Sequence, residues 1–90
     1  MRVARRYLIS GRVQGVGFRF FAERTASYEG IQGWVRNLPD GRVEILSEGE
    51  AEAIERFELA LRHGPPHARV DAVETDHVAP SERQTGFNIR

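Results

Sequence analysis

Two helical segments lie among strand-like ones in the order βαββαβ, and a tight-turn signal joins the two middle strands. The 90 residues suffice for one domain and one modest core. Together these observations predict an α+β protein: a ferredoxin-like two-layer sandwich with a mainly antiparallel sheet and both helices on one face. A short extra C-terminal strand completes it, and residues 1–90 form a single domain.

Residues 7–13 alternate loosely and read as the first strand. Residues 20–29 carry Phe21, Ala22, Thr25 and Ala26 at helical spacing, an inward face, and Gly30 stops that helix. Residues 31–38 are rich in apolar and aromatic side chains and read as a strand. Pro39-Asp40-Gly41 signals a turn, and residues 42–46 return as the second strand of a hairpin. Residues 50–63 place Ile54, Phe57 and Leu61 on one stripe. Acids fill the first turn of that helix and Arg62 sits in its last, as the macrodipole favours. Gly64-Pro65-Pro66 ends it. Residues 69–78 read as a strand of imperfect alternation, 79–86 as a polar connection and 87–90 as a short terminal strand. Beyond the approximate βαβ doubling there is no internal repeat, linker or low-complexity stretch.

Composition excludes several chemistries. Acidic and basic residues number 13 each, so nothing favours a polyanion such as nucleic acid. All the basic residues are arginine, which removes Schiff-base chemistry and a lysine base. The absence of cysteine removes a thiol nucleophile, a disulfide and a thiolate metal site. No stretch is apolar enough for a leader or a membrane span, so the expectation is a cytoplasmic protein with no membrane partner. Nothing argues against a monomer.

The segment Gly11-Arg12-Val13-Gln14-Gly15-Val16-Gly17-Phe18-Arg19 carries most of the functional signal. It joins a strand to a helix. Such a glycine-spaced turn leaves backbone N–H groups free to point outward, and the helix N-terminus behind it adds positive potential. Arg19 adds a planar, permanently charged fork suited to phosphate or carboxylate. A Walker A loop would need Lys and Ser/Thr after its last glycine, and neither is present. A dinucleotide fingerprint would need a glycine at position 20, which is Phe20. The aromatic string 16–21 has the wrong order for an RNA-binding motif. A plain strand–helix connection with Arg19 at the surface would use the same residues. Two features favour the anion cradle: Arg12 and Arg19 flank a segment without an acid, and Asn37 precedes the hairpin turn. An amide there can donate and accept at once, so it can hold a water against a phosphorus bound in the loop. Asn37 also serves as a turn-initiating residue.

The other candidates read as structure. His63, His67 and His77 are surface residues with no carboxylate spacing to complete a metal site. Trp34, Phe57 and Phe87 are core or cover for the sheet. Glu48, Glu50, Glu52 and Glu55 read as a helix start and a solvated face. Ser10, Ser27, Ser47 and Ser81 lack partners for a nucleophilic triad.

The 11–19 segment resembles the first signature of the acylphosphatase family. The run Gly33-Trp34-Val35-Arg36-Asn37-Leu38-Pro39-Asp40-Gly41-Arg42-Val43-Glu44 resembles its second. The spacing between them, Glu48-Gly49, Gly64-Pro65-Pro66 and the terminal Gly86-Phe87-Asn88-Ile89-Arg90 also look like that family, so the resemblance spans nearly the whole chain. It implies hydrolysis of the carboxyl–phosphate bond of small acyl phosphates to a carboxylate and inorganic phosphate, the latter also a competitive inhibitor. It implies catalytic roles for Arg19, on the phosphate, and for Asn37, on the attacking water. It makes Gln14, Gly15, Val16, Gly17 and Phe18 the substrate-binding loop, and it implies no metal, cofactor or covalent phosphoenzyme.

A mixed anhydride carries a good leaving group, so placing water in line and stabilising phosphoryl charge is chemistry enough. No His, Asp or Glu is placed by sequence as a base, so the expectation is proton transfer to the substrate phosphate itself. The alternative is a non-catalytic module that holds phosphate or an acyl phosphate such as carbamoyl phosphate. Similar domains resemble the N-terminal part of hydrogenase-maturation carbamoyltransferases.

Overall fold

In the computed structural model, which describes residues 1–81 and 83–90, the elements follow the order β1 (Arg2–Arg12), α1 (Phe18–Glu29), β2 (Gln32–Asn37), β3 (Val43–Glu50), α2 (Ala51–His63), β4 (Arg69–Val78) and β5 (Phe87–Ile89). The sheet order is β4-β1-β3-β2-β5. β1 pairs antiparallel with β3 and β4, and β2 pairs antiparallel with β3. The short β5 joins β2 in parallel. Each helix links two strands that a third separates, the split βαβ arrangement expected from the element order.

One face of the sheet is apolar and covered by both helices. Tyr7, Ile9, Val35, Val43 and Ile45 are buried there. Phe18, Ala22 and Ala26 from α1 pack onto them with Ile54, Phe57 and Leu61 from α2. Phe57 sets its ring edge-on to Tyr7 at 6.3 Å and to Phe87 at 5.9 Å, spacings at which aromatic quadrupoles attract. The opposite face is charged. Cross-strand pairing sets Arg6 beside Asp76, and Glu44 between Leu8 and Arg36. Glu44 binds both Arg6 and Arg36 at 2.5 Å.

That charged face explains three departures from the sequence reading. β1 starts at Arg2 rather than Tyr7, because its arginines meet acids and amides on the neighbouring strands: Arg2 donates to Gln32, and Arg6 to Glu44. β3 continues through Ser47–Gly49 to Glu50 rather than stopping at Leu46, since β1 and β2 pair it on both sides. Glu48 is therefore no part of a helix start or a solvated face. It is 1% exposed, accepts from the amide and hydroxyl of Ser81 at 2.7 and 2.8 Å, and lies 3.6 Å from Arg2. Trp34 covers the outer face, with Arg90 and Arg36 over its ring at 4.6 and 5.2 Å. α1 begins two residues earlier than expected, at Phe18. The 79–86 connection includes Glu82, which lies outside the described residues.

The hairpin turn forms as its residues dictate. Leu38 donates its amide to Arg42 at 2.8 Å, Gly41 donates to Leu38 at 3.1 Å, and the Asp40 carboxylate accepts from the Arg42 amide at 3.0 Å. That amide bond is the largest influence holding the Asp40 carboxyl below its ordinary pKa.

Candidate active site

Between β1 and α1 the chain makes a five-residue loop, 13–17. Val13 and Phe18 are buried and anchor the two ends of the loop in the core. Between them Gly15 and Gly17 turn through left-handed backbone at φ 72° and 80°, where a side chain would cost about 1–2 kcal/mol. Gly17 is the N-cap of α1, no side chain caps that end, and no acid lies in the first turn. Among the described residues, nothing accepts a hydrogen bond from the N–H groups of residues 15–20. A cluster of free donors at a helix N-terminus is an anion site by construction.

These residues line a cavity of about 210 Å³ made by Val13, Gly15, Gly17, Phe18, Arg19, Phe20 and Asn37. Arg19 enters from the first turn of α1. Its Nη1 donates to the Arg90 backbone oxygen at 3.2 Å, which steadies the guanidinium. No Asp or Glu among the described residues lies within ion-pair distance of it. Asn37 enters from the end of β2, opposite Val43. Its Oδ1 is buried and has no hydrogen-bond partner. A buried acceptor left unpaired costs about 1–3 kcal/mol, so its retention calls for an explanation at the site.

The predicted site residues divide. Gly15, Gly17, Phe18, Arg19 and Asn37 come together around the cavity, while Gln14 and Val16 do not line it. Val16 packs against the core instead. Gln14 turns its amide to the hairpin, where Nε2 donates to the carbonyls of Leu38 at 2.8 Å and Arg42 at 3.0 Å. Arg12 is exposed opposite Arg69, away from the lining. His63, His67 and His77 are exposed, as expected. Among the described residues no group of His, Cys, Asp and Glu is placed to hold a metal. No helix is long and apolar enough to cross a membrane. The sequence reading missed the Gln14 side chain and Phe20. Gln14 carries no local signal, since its partners lie 24 and 28 residues away. Phe20 carried one: it is apolar yet lies off the inward face of its helix.

The family model described as acylphosphatase matches residues 5–89, essentially the whole structured chain. The chain belongs to the acylphosphatase family. It is 48% identical over 90 residues to the acylphosphatase of Roseiflexus sp. (strain RS-1), covering 99% of this chain and 97% of that one. The crystal structure of acylphosphatase from Bacillus subtilis superposes with a TM-score of 0.94 at 39% identity, covering 98% of each chain. The phosphate- and nucleotide-bound full-length HypF structure contains a similar unit, with a TM-score of 0.88 at 30% identity over all of this chain but only 12% of that one. As a member of the acylphosphatase family the chain is a hydrolase acting on acyl phosphates, and the non-catalytic module is not favoured.

Proposed function

We propose that this hydrolase holds the phosphoryl group of a small acyl phosphate on Arg19 and the loop amides, and sets the attacking water on Asn37. The observation that carries the reading is that Asn37, whose buried Oδ1 has no hydrogen-bond partner, lines the same cavity as Arg19 and the loop with its free N–H groups. Oδ1 accepts a hydrogen bond from the water O–H and leaves a lone pair of the water oxygen free for phosphorus. The water oxygen bonds to phosphorus, the phosphorus–acyl oxygen bond breaks, and the electron pair departs on the carboxylate. The water's proton passes to a phosphoryl oxygen, so the products are a carboxylate and inorganic phosphate. Arg19 and the amides stabilise the charge spread over the equatorial oxygens, the main requirement for phosphoryl transfer. Among the described residues no His, Asp or Glu lines the cavity, and this route needs none.

The same reading has the chain working as a cytoplasmic monomer, without metal, nucleic acid or membrane, and with inorganic phosphate as competitive inhibitor.

Hydrolysis of benzoyl phosphate in ¹⁸O-water, with chelator present, tests the proposal. Turnover with label in phosphate is expected. Label in benzoate would place the attack at the carbonyl carbon and overturn the assignment of water and phosphate sites. Turnover that chelator abolished would overturn the metal-free route.

A further inference from the structure

Resting on that reading, we infer that Phe20 forms an acyl subsite that selects aromatic over small aliphatic acyl phosphates. Phe20 is 66% exposed although it stands in the first turn of a helix whose buried face lies elsewhere. Of the large exposed apolar side chains Met1, Phe20, Tyr28, Leu59 and Ile89, it alone borders the cavity. Its neighbours in the lining are of two kinds. Arg19 and Asn37 are polar and belong to the phosphoryl group and the water. Val13 and Phe18 are buried and present little surface. Space over the loop is open: a Cβ at Gly15 or Gly17 would meet no heavy atom within 4 Å.

A phosphoryl group seated against the amides must therefore send its acyl substituent out through this mouth, where Phe20 supplies the apolar wall. A benzoyl ring can pack on that wall edge-on or offset, as aromatic pairs prefer, whereas an acetyl methyl covers little of it. Among the described residues no charged side chain besides Arg19 lines the mouth, so beyond the phosphoryl and water positions the lining offers the acyl group apolar contact.

The test compares kcat/KM for benzoyl phosphate and acetyl phosphate in the wild type, Phe20→Leu and Phe20→Ala, with inhibition by inorganic phosphate measured alongside. The benzoyl-to-acetyl ratio is expected to fall roughly five- to tenfold in Phe20→Ala, the scale of one aromatic contact at an open site, and by less in Phe20→Leu. Inhibition by phosphate, which does not reach the wall, keeps its constant. An unchanged ratio in Phe20→Ala would overturn the inference. Affinities for phenacylphosphonate and acetonylphosphonate, which cannot be hydrolysed, separate this claim from the catalytic one. If neither acyl phosphate turned over, the hydrolytic reading would fail. A phosphonate affinity ratio that still depended on Phe20 would uphold the subsite, and one that did not would overturn it.

Discussion

Gln14 and Leu38 are tied across the site: Gln14 Nε2 donates to the Leu38 carbonyl at 2.8 Å and, from the same atom, to the Arg42 carbonyl at 3.0 Å. One amide thus fixes the loop before α1 against both sides of the turn that follows Asn37. The tether holds the loop beside the strand end that carries Asn37.

Gln14→Ala is accordingly expected to lower kcat/KM by about tenfold or more, because small misplacements of reacting groups are costly. Stability should fall by only about 1 kcal/mol, since the Leu38 and Arg42 carbonyls keep their other donors. Steady-state kinetics and urea unfolding of the same preparation separate the two effects. Wild-type kinetics from the variant would show that the loop needs no tether.

Gly33 sits where the backbone of β2 lies against that of β3. Its φ is 146°, and a Cβ there would lie 1.9 Å from the Leu46 carbonyl oxygen. Backbone cannot yield as a side chain can, so Gly33→Ala should cost about 3 kcal/mol or more. A urea midpoint close to wild type would mean that the two strands can part locally without loss.

Glu44 gives the fold a pH dependence. Burial opposes its charge, but hydrogen bonds from Arg36 and Arg6 outweigh that and hold its carboxyl below the ordinary value of 4.5. The folded state therefore binds this proton less readily than the unfolded chain. Its contribution is complete above the ordinary value and is lost as pH falls through the lower folded one. Both arginines are partly open to solvent, so Glu44→Gln should cost only about 1–2 kcal/mol near neutrality. The gap between variant and wild type should close on acidification. A gap that widened in acid would reverse the assigned sign.

The rate should depend on pH through the substrate alone. With no His, Asp or Glu in the cavity lining, kcat should show no limb from an enzymic group between about pH 6 and about pH 8. Replacing His63, His67 and His77 together by Ala should leave the profile in place, for all three are exposed and none lines the cavity. A neutral limb that vanished in that triple variant would reveal a base that this account omits.

What could be read along the chain was local. The Pro39-Asp40-Gly41 turn, the apolar stripe Ile54, Phe57 and Leu61, and the glycine-spaced loop before α1 are each written within a few residues, and each stands where expected. Arg2–Arg6 and Ser47–Glu50 hid their strands because their polar side chains find partners only across the sheet, as Arg6 does with Glu44 and Asp76. Glu48 looked like a helix start because its donor, Ser81, lies 33 residues on. Within the candidate site, Arg19 and Asn37 stood out in the sequence by residue type and position, and both line the cavity. The Gln14 tether and the unpaired Asn37 Oδ1 exist only once the hairpin has folded over the loop.

The division of labour between Arg19 and Asn37 is tested most directly by measuring kcat for benzoyl phosphate and the inhibition constant for phosphate in wild type, Arg19→Ala and Asn37→Ala. Arg19→Ala should lose phosphate binding together with turnover, the latter by at least about 10²–10³-fold, as for other removed oxyanion donors. Asn37→Ala should lose turnover while phosphate still inhibits, because its partner is the water. Equal losses of turnover and phosphate binding in Asn37→Ala, or wild-type kinetics in either folded variant, would contradict the account.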